Sequence, residues 1–501
     1  MELWFYLVAS ISLYIFLHAL LTIIRNKKLP PSPPTIPFLG NLFWLLKSSN
    51  NFAALEPVLH SLRAKYGNIV TIHIGSNPSI FITTHEAAHR ALVKNGTVFA
   101  SRPTAVQTIQ VFFPNQHVVS MSPYGAVWRV LRQNFMQVIQ PSRLDSFSHC
   151  RKWALDGIKK SILTDIESGN KEIPINDYLN FAKYVLLSYI CFGENFDEET
   201  VKNIQRVQHS LVHNFIRFNV VNFVPILSKI VFRKLWREIF QIRHNQMSLM
   251  LPIIKARQEK IKSGAETEFE AYVDTLFEIE LPHTGKKLND EELVSLCSEF
   301  LLSGTDTSAA SLSWVMANLV KYQNVQEKLF DEITQVVTPG EDIEKEHLKR
   351  MPYLHAVVLE TFRRHPPGHF ILPRAVTEET VIDGYRIPKN AMVNVLVAEL
   401  GRDPNVWEDP MEFRPERFLK DGDKFDLKGF AEIKMIPFGA GRRVCPAISM
   451  AVLNVEYFVA NMVRDFKWTV EDGCEVDLSE KEAFTIVMKN PLRACASPRN
   501  T

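Results

Sequence analysis

The chain is short of the features that mark a secreted scaffold or a nucleic-acid-binding protein. Six cysteines in 501 residues are too few for a disulfide framework. No Cys-x-x-Cys pair occurs among Cys150, Cys191, Cys297, Cys445, Cys474 and Cys495, which removes the commonest zinc-site spacing. The formal net charge is only +2, without the basic excess of a surface that coats nucleic acid. No P-loop occurs. Gly439-Ala440-Gly441 opens like a dinucleotide fingerprint, but Val444 stands at the third glycine's place and no acid follows at the expected distance, so a nicotinamide- or flavin-binding module is excluded. No fixed-period repeat and no Gly-, Ser- or charge-rich linker divides residues 40–501, so one large domain is expected where length alone suggests about three. The composition, 46% apolar and 22% charged, suits a chain that buries a core.

The start of the chain departs from this picture. Leu3 to Ile24 contain no Asp, Glu, Lys or Arg. As a helix this stretch is about 33 Å long, enough for a hydrocarbon core of about 30 Å. Trp4 and Tyr6 suit one interface, and Arg25, Lys27 and Lys28 favour a cytosolic side for the rest of the chain. Glu2, the length of the stretch and the lack of a small-residue cleavage site argue against a cleaved signal peptide. The sequon Asn95-Gly96-Thr97 then goes unused. The prolines between Pro30 and Pro37 cannot continue a helix and form a stiff extended linker. The expected organisation is a transmembrane signal anchor over residues 1–25, a basic and proline-rich hinge over 26–40, and a single domain over 41–501.

Within the body, Ile69 to Ile74 and Ser79 to Thr83 form one predicted hairpin, and Asp383-Gly384 turns a second. Met392 to Val397 could add a strand. Residues from about 120 to 370 follow helical periodicity. The fold class is therefore mainly α with small β-sheets.

The strongest chemical signal is the run from Phe438 to Ala447, which contains Gly439, Gly441, Arg442, Arg443 and Cys445. A cysteine thiolate can be the axial ligand of haem iron. A glycine-rich loop exposes backbone N–H groups to the sulfur, and a predicted helix over Ile448 to Asp465 adds its positive end. Arg443 can pair with a haem carboxylate. A buried structural cysteine beside a turn is the competing reading for any single cysteine. Three other elements weigh against it. Glu360 and Arg363 lie on one helical face, and Arg417 of Arg414-Pro415-Glu416-Arg417-Phe418 could close an ion network with them; the alternative is a solvated surface pair. Ser303-Gly304-Thr305-Asp306-Thr307 interrupts the apolar face of a helix predicted from about Asp290 to Tyr322. There Gly304 permits local opening, and Asp306 and Thr307 can relay protons; a packing kink is the alternative. Trp128 and Arg132, four residues apart, face one way and both donate, which suits carboxylates, although a plain surface pair would look the same.

In order along the chain, these elements resemble the cytochrome P450 family of haem-thiolate monooxygenases, of the plant microsomal type. Pro373-Arg374 and the run from Leu396 to Pro404 are also similar to that family. The resemblance implies the cytochrome P450 fold and haem b, with Cys445 as the axial iron ligand. It implies that Trp128, Arg132, Arg374 and Arg443 hold the propionates, that Phe438 shields the sulfur, and that Glu360, Arg363 and Arg417 lock the core. Asp306 and Thr307 would deliver protons. The implied reaction inserts one oxygen atom from O2 into a lipophilic or aromatic small molecule. Electrons would come from NADPH through a separate NADPH–cytochrome reductase, docking near Arg129, Lys434 and Arg442. The implied location is the endoplasmic reticulum membrane, single-pass, with a cytosolic catalytic domain and no nucleic-acid partner. Substrate walls would come from Ile109 to Asn115, Phe215 to Phe223, Phe300, His369 to Leu372 and Ala483 to Val487, and Phe218 to Phe232 could dip into lipid. Two residues depart from the family pattern: Ser303 replaces the usual Ala or Gly, and Ala447 replaces the usual Gly. The alternatives are an O2-independent haem-thiolate rearrangement enzyme and a non-catalytic membrane-tethered haem- or lipophile-binding protein. The acid–threonine pair favours monooxygenation.

Overall fold

The computed structural model describes residues 28–36, 40–41, 55–74, 77–222, 227–419, 425–471 and 473–499, together with Trp4, Tyr6 and Leu13. The anchor expected over residues 1–25 lies outside these, apart from those three. Among the described residues no helix is long and apolar enough to cross a membrane.

The chain groups into two compact units. One comprises Met1–Pro103, His369–Val406 and Asp426–Val444, the other Thr104–Gly368, Trp407–Phe425 and Cys445–Thr501. Each unit draws on three separate stretches of chain, so no single linker marks a boundary between them.

The first unit is built on a four-stranded sheet in the order β1-β2-β6-β3. Its strands are β1 (Ile69–Ile74), β2 (Asn77–Ile82), β3 (Arg374–Ala375) and β6 (Met392–Val395). β1 and β2 are antiparallel from Ile69↔Ile82 to Ile74↔Asn77, and β6 runs parallel to β2. The two-residue side-chain period splits these strands between two cores. Ile69, Ile80, Ile82, Val393 and Val395 face one apolar cluster. Val70, Ile72 and Phe81 pack instead with Val58, Leu59 and Leu62 of α1 (Leu55–Tyr66). β4 (Thr380–Ile382) and β5 (Tyr385–Ile387) form the second predicted hairpin. Asp383 at φ 52° and Gly384 at φ 82° supply the two left-handed residues that such a turn requires.

The proline run is more than a spacer. Thr71 donates its backbone N–H to the Pro31 carbonyl at 2.8 Å and its hydroxyl to the Pro30 carbonyl at 2.9 Å. The Asn41 amide donates to the carbonyls of Pro33 and Pro34, both at 3.0 Å. Prolines offer no donor of their own, and here their carbonyls are held along β1.

The second unit is helical. Its long helices are α2 (Ala126–Val138), α3 (Ser148–Glu167), α4 (Ile175–Phe192), α5 (Glu198–Phe218) and α6 (Arg233–Lys262), then α7 (Asp290–Lys321), α8 (Gln323–Val336), α9 (Pro352–Arg364) and α10 (Ile448–Asp465). The boundaries of α10 are those expected from the sequence. α7 begins at a capping box: Asn289 Oδ1 accepts from the Glu292 N–H at 2.9 Å, and Glu292 Oε2 accepts from the Asn289 N–H at 3.0 Å, which satisfies two otherwise orphan donors. Two small ribbons complete the unit, β7 (Phe466–Thr469) with β10 (Cys495–Pro498) and β8 (Glu480–Glu482) with β9 (Ile486–Met488). The architecture is mainly α with small sheets, as the sequence predicts.

One local expectation is corrected. α7 runs as α-helix straight through Gly304 instead of opening there. A Cβ at Gly304 would lie 2.7 Å from Leu187 Cδ1. The glycine serves close packing of α4 on α7, because a missing side chain is what lets two helices approach.

Candidate active site

In the second unit, Cys445 lies just before α10. Burial pushes its thiol above the ordinary value, while the backbone N–H of Ala447 and the guanidinium of Arg132 pull it back down. Both favour a negative sulfur. Arg132 sits with its guanidinium 5.4 Å from the centre of the Trp128 ring, and Trp128 is 6% exposed. The Trp128–Arg132 pair on α2 is thus an interior pair, not the helix-surface pair that was its rival reading. Ala447 has φ −97° and ψ 20°, a conformation open to any L residue, so its departure from the family's glycine costs no backbone strain. Gly441 has no such latitude. Its φ is +69°, and a Cβ there would come within 1.8 Å of the Leu92 carbonyl oxygen.

In the first unit, Arg374 and Arg443 are only 3% and 7% exposed. One short segment positions both. Arg443 donates Nε to the Ala100 carbonyl at 2.7 Å. The Ala375 N–H donates to the Ser101 carbonyl at 2.9 Å, and Arg102 donates to the carbonyls of Leu372 and Pro373 at 2.7 and 2.8 Å. The sequence carries no signal for Ala100 to Arg102, because their role is made entirely by contacts distant in the chain. Phe438 is half-buried, one residue before Gly439 at φ +69°.

Asp306 and Thr307 stand on α7. Desolvation raises the Asp306 carboxyl to about 6, against a lowering influence from His213, and its Oδ2 is buried without a hydrogen-bond partner. The Thr307 hydroxyl donates to the Ser303 carbonyl at 2.6 Å, and Ser303 in turn donates to the Glu299 carbonyl at 2.7 Å. Ser303, the second departure from the family pattern, thus keeps its hydrogen within the helix. Sequence reading missed the groups around Asp306, which come from other helices: Tyr184 on α4 and His213 on α5.

The expected ion network forms in full. Arg363 donates Nε and Nη2 to the two Glu360 oxygens at 2.7 and 2.9 Å. Arg417 donates Nε to Glu360 Oε1 at 3.1 Å, and Arg363 Nη1 reaches the Pro410 carbonyl at 2.7 Å. Glu360 and Arg363 have no exposed surface. Phe300, expected in a substrate wall, belongs to the core instead, with its ring 4.8 Å from Tyr272 and 5.6 Å from Phe135. Phe112 and Phe113 are also buried, whereas Phe484 is exposed and lies 6.3 Å from Phe215.

The donor chemistry fits an iron porphyrin. The second unit offers one soft sulfur with an N–H and a cation beside it, and the first unit, by itself, offers buried guanidiniums, which suit carboxylates. The chain matches the family model "Cytochrome P450" over residues 30–495. It is 42% identical to "Cytochrome P450 89A9" of Arabidopsis thaliana over 99% of this chain and 98% of that one. It is 28% identical to geraniol 8-hydroxylase of Catharanthus roseus, with 94% of each chain covered. A solved zebra fish cytochrome P450 with progesterone superposes with a TM-score of 0.75 at 18% identity, covering 88% of this chain and 99% of that one. With the Cys445 loop, the acid–threonine pair on α7 and the buried Glu360–Arg363–Arg417 network all in place, this chain belongs to the cytochrome P450 family as a haem-thiolate monooxygenase of the plant kind.

Proposed function

We propose that this enzyme inserts one oxygen atom from O2 into a lipophilic or aromatic small molecule of plant specialised or catabolic metabolism, with electrons from NADPH through a separate reductase. The observation that carries this reading is Asp306, a half-buried residue on α7 whose Oδ2 is buried without a hydrogen-bond partner and whose carboxyl desolvation raises to about 6, one residue before Thr307. An acid poised near the operating pH is suited to holding a proton and passing it on.

Haem, when bound, supplies the activation of O2. Cys445 provides the sulfur for its iron, and the Ala447 N–H and Arg132 stabilise negative charge on that sulfur. Trp128, Arg132, Arg374 and Arg443 hold the carboxylates, and Phe438 covers the thiolate. Asp306 holds the proton to be delivered. Thr307 keeps its own hydrogen on the Ser303 carbonyl, which leaves its oxygen as an acceptor that orients the incoming donor.

The substrate class draws support from two relatives, geraniol 8-hydroxylase and the 3,9-dihydroxypterocarpan 6A-monooxygenase of Glycine max, the latter 29% identical over 98% of this chain. Both are named for small organic molecules. The Phe215–Phe484 ring pair adds aromatic surface for such a ligand. Residues 1–25 anchor the enzyme in the endoplasmic reticulum membrane, the hinge over 26–40 comes next, and residues 41–501 form the cytosolic catalytic body. Leu227, Ile230 and Val231 are 52%, 76% and 64% exposed, and such an apolar patch suits contact with lipid. Arg129, Lys434 and Arg442 offer positive charge to the reductase.

The test uses membranes carrying the full chain and a plant NADPH-dependent reductase, incubated with monoterpene alcohols and pterocarpans under labelled dioxygen. One labelled oxygen per product, formed only with NADPH, is expected. Turnover without label, or without NADPH, would overturn the proposal.

A further inference from the structure

The ribbon of β8 and β9 pairs only three residues a side, from Glu480↔Met488 to Glu482↔Ile486, and a two-stranded ribbon is marginal by itself. Its turn carries Phe484, exposed and 6.3 Å from Phe215. Three bonds tie the ribbon down. The Trp314 indole N–H donates to the Ile486 carbonyl at 2.9 Å. The Ile486 N–H donates to the Pro367 carbonyl at 2.9 Å. The His365 Nδ1–H donates to Glu480 Oε1 at 2.9 Å, the carboxylate being the acceptor. The first and third anchors are themselves joined. The Trp314 and His365 rings stack with centres 4.0 Å apart and planes 2° apart, and both residues are fully buried. One pair of rings thus grips both strands, β8 through Glu480 and β9 through Ile486. Trp314 also lies on α7, seven residues after Thr307. That spacing is two helical turns, about 10 Å along the same face. His365 follows directly on α9, the helix of Glu360 and Arg363.

We propose that Trp314 and His365 are positioning residues that set the β8–β9 turn in register with Thr307, and so fix how the site discriminates among apolar ligands. The inference rests on the reading of Phe484 as ligand surface given above. With no exposed surface of their own, both rings act through the ribbon and not by touching a ligand. A ribbon held by α9 alone could slide along α7. The Trp314 N–H removes that freedom, because a slide would leave the Ile486 carbonyl without its buried partner. A displacement of about 1 Å is enough to spoil a positioned contact, so a loosened turn changes ligand choice before it changes the fold.

The test is made on the full-length holoenzyme. Trp314→Phe keeps a ring over His365 but removes the N–H, and His365→Gln removes the stack. Amide hydrogen exchange across residues 479–489, read by mass spectrometry, should speed up about tenfold in both, with the carbon monoxide spectrum of the reduced protein unchanged. Glu480→Ala, at the less buried end of the same bond, takes the place of His365→Gln if that variant does not fold. The ligand readout compares 4-phenylimidazole with imidazole, each binding through a ring nitrogen, by the shift of the haem band. Phe484→Ala weakens the phenyl compound several-fold and leaves imidazole unchanged, and the Trp314 and His365 variants do the same. Exchange that stays at the parent rate overturns the clamp. Selective weakening in Phe484→Ala, but not in Trp314→Phe or His365→Gln, overturns its part in ligand choice and leaves Phe484 standing as ligand surface. No selective weakening in Phe484→Ala overturns that reading of Phe484, and the proposal with it.

Discussion

Arg363 grips both oxygens of Glu360 at 2.7 and 2.9 Å, and neither side chain has any surface in contact with solvent. Removing one partner of such a pair strands a charge in a medium that cannot solvate it. Arg363→Ala should therefore cost about 3–5 kcal/mol, and Glu360→Gln should come close to it, because Arg417 and the Arg414 N–H also bond Glu360. Urea unfolding followed by tryptophan fluorescence measures the loss. A change below about 1 kcal/mol would contradict the buried-pair account.

The cysteine loop separates two small residues that look interchangeable in the sequence. Gly441→Ala meets a left-handed backbone and a carbonyl oxygen at 1.8 Å, so it should abolish the haem-bound fraction. Ala447→Gly sits at φ −97° and should leave that fraction within about twofold of the parent chain, its cost being only the extra freedom of glycine. Absorbance at the haem band per mole of purified chain decides both.

Asp306 predicts a trade between stability and function. The unfolded carboxyl titrates at 3.8 and the folded one at about 6. Between those values the folded chain keeps a proton that the unfolded chain has lost, so stability falls as pH rises and the cost is complete above about pH 6. Asp306→Asn should stabilise the protein by about 2 kcal/mol at pH 7 and by nothing below about pH 4. Denaturation at the two pH values tests it, and equal gains at both would sink the assignment.

Lys183 gives the opposite slope. It is 1% exposed, its Nζ has no hydrogen-bond partner and lies 4.2 Å from the centre of the Phe458 ring, and burial, then Arg151, lowers it to about 7. The unfolded lysine keeps its proton up to 10.5, so stability rises with pH between 7 and 10.5. Lys183→Met should add about 3 kcal/mol at pH 7, with the gain fading towards pH 10. A pH-independent gain would point to packing alone.

Thr307→Ala removes the hydroxyl beside Asp306 on α7. Peroxide released per NADPH should rise about tenfold while substrate binding stays unchanged. Stoichiometry of NADPH, peroxide and product checks this, and unchanged coupling would take Thr307 out of proton delivery.

Features under local control were legible in the sequence. The limits of α10 and the reach of α7, expected from about Asp290 to Tyr322, follow from apolar periodicity. The Asp383-Gly384 turn could be read from two residues, and Arg363 from a three-residue spacing to Glu360. Less visible were properties that only tertiary neighbours confer. Gly304 reads as a helix opening until Leu187 is found packed against it. Phe300 reads as pocket lining until Tyr272 and Phe135 enclose it. Ala100 to Arg102 carry no motif, because they act through backbone carbonyls and one ordinary arginine. His209, on α5, looks like part of a solvated face until the Tyr184 ring comes beside it.

The segment from Ala100 to Arg102 also sets an order of events in the making of the enzyme. Its bonds reach Arg443 across 343 residues and Leu372 and Pro373 across about 270. Contacts of such span form late, since loop closure must come first. A ribosome releases Ala100 long before it makes Arg374 or Arg443. The two guanidiniums cannot be set until nearly the whole chain has been synthesised, so capture of the pigment reports on completed translation, and chains cut short near residue 440 should stay colourless however well their helices form.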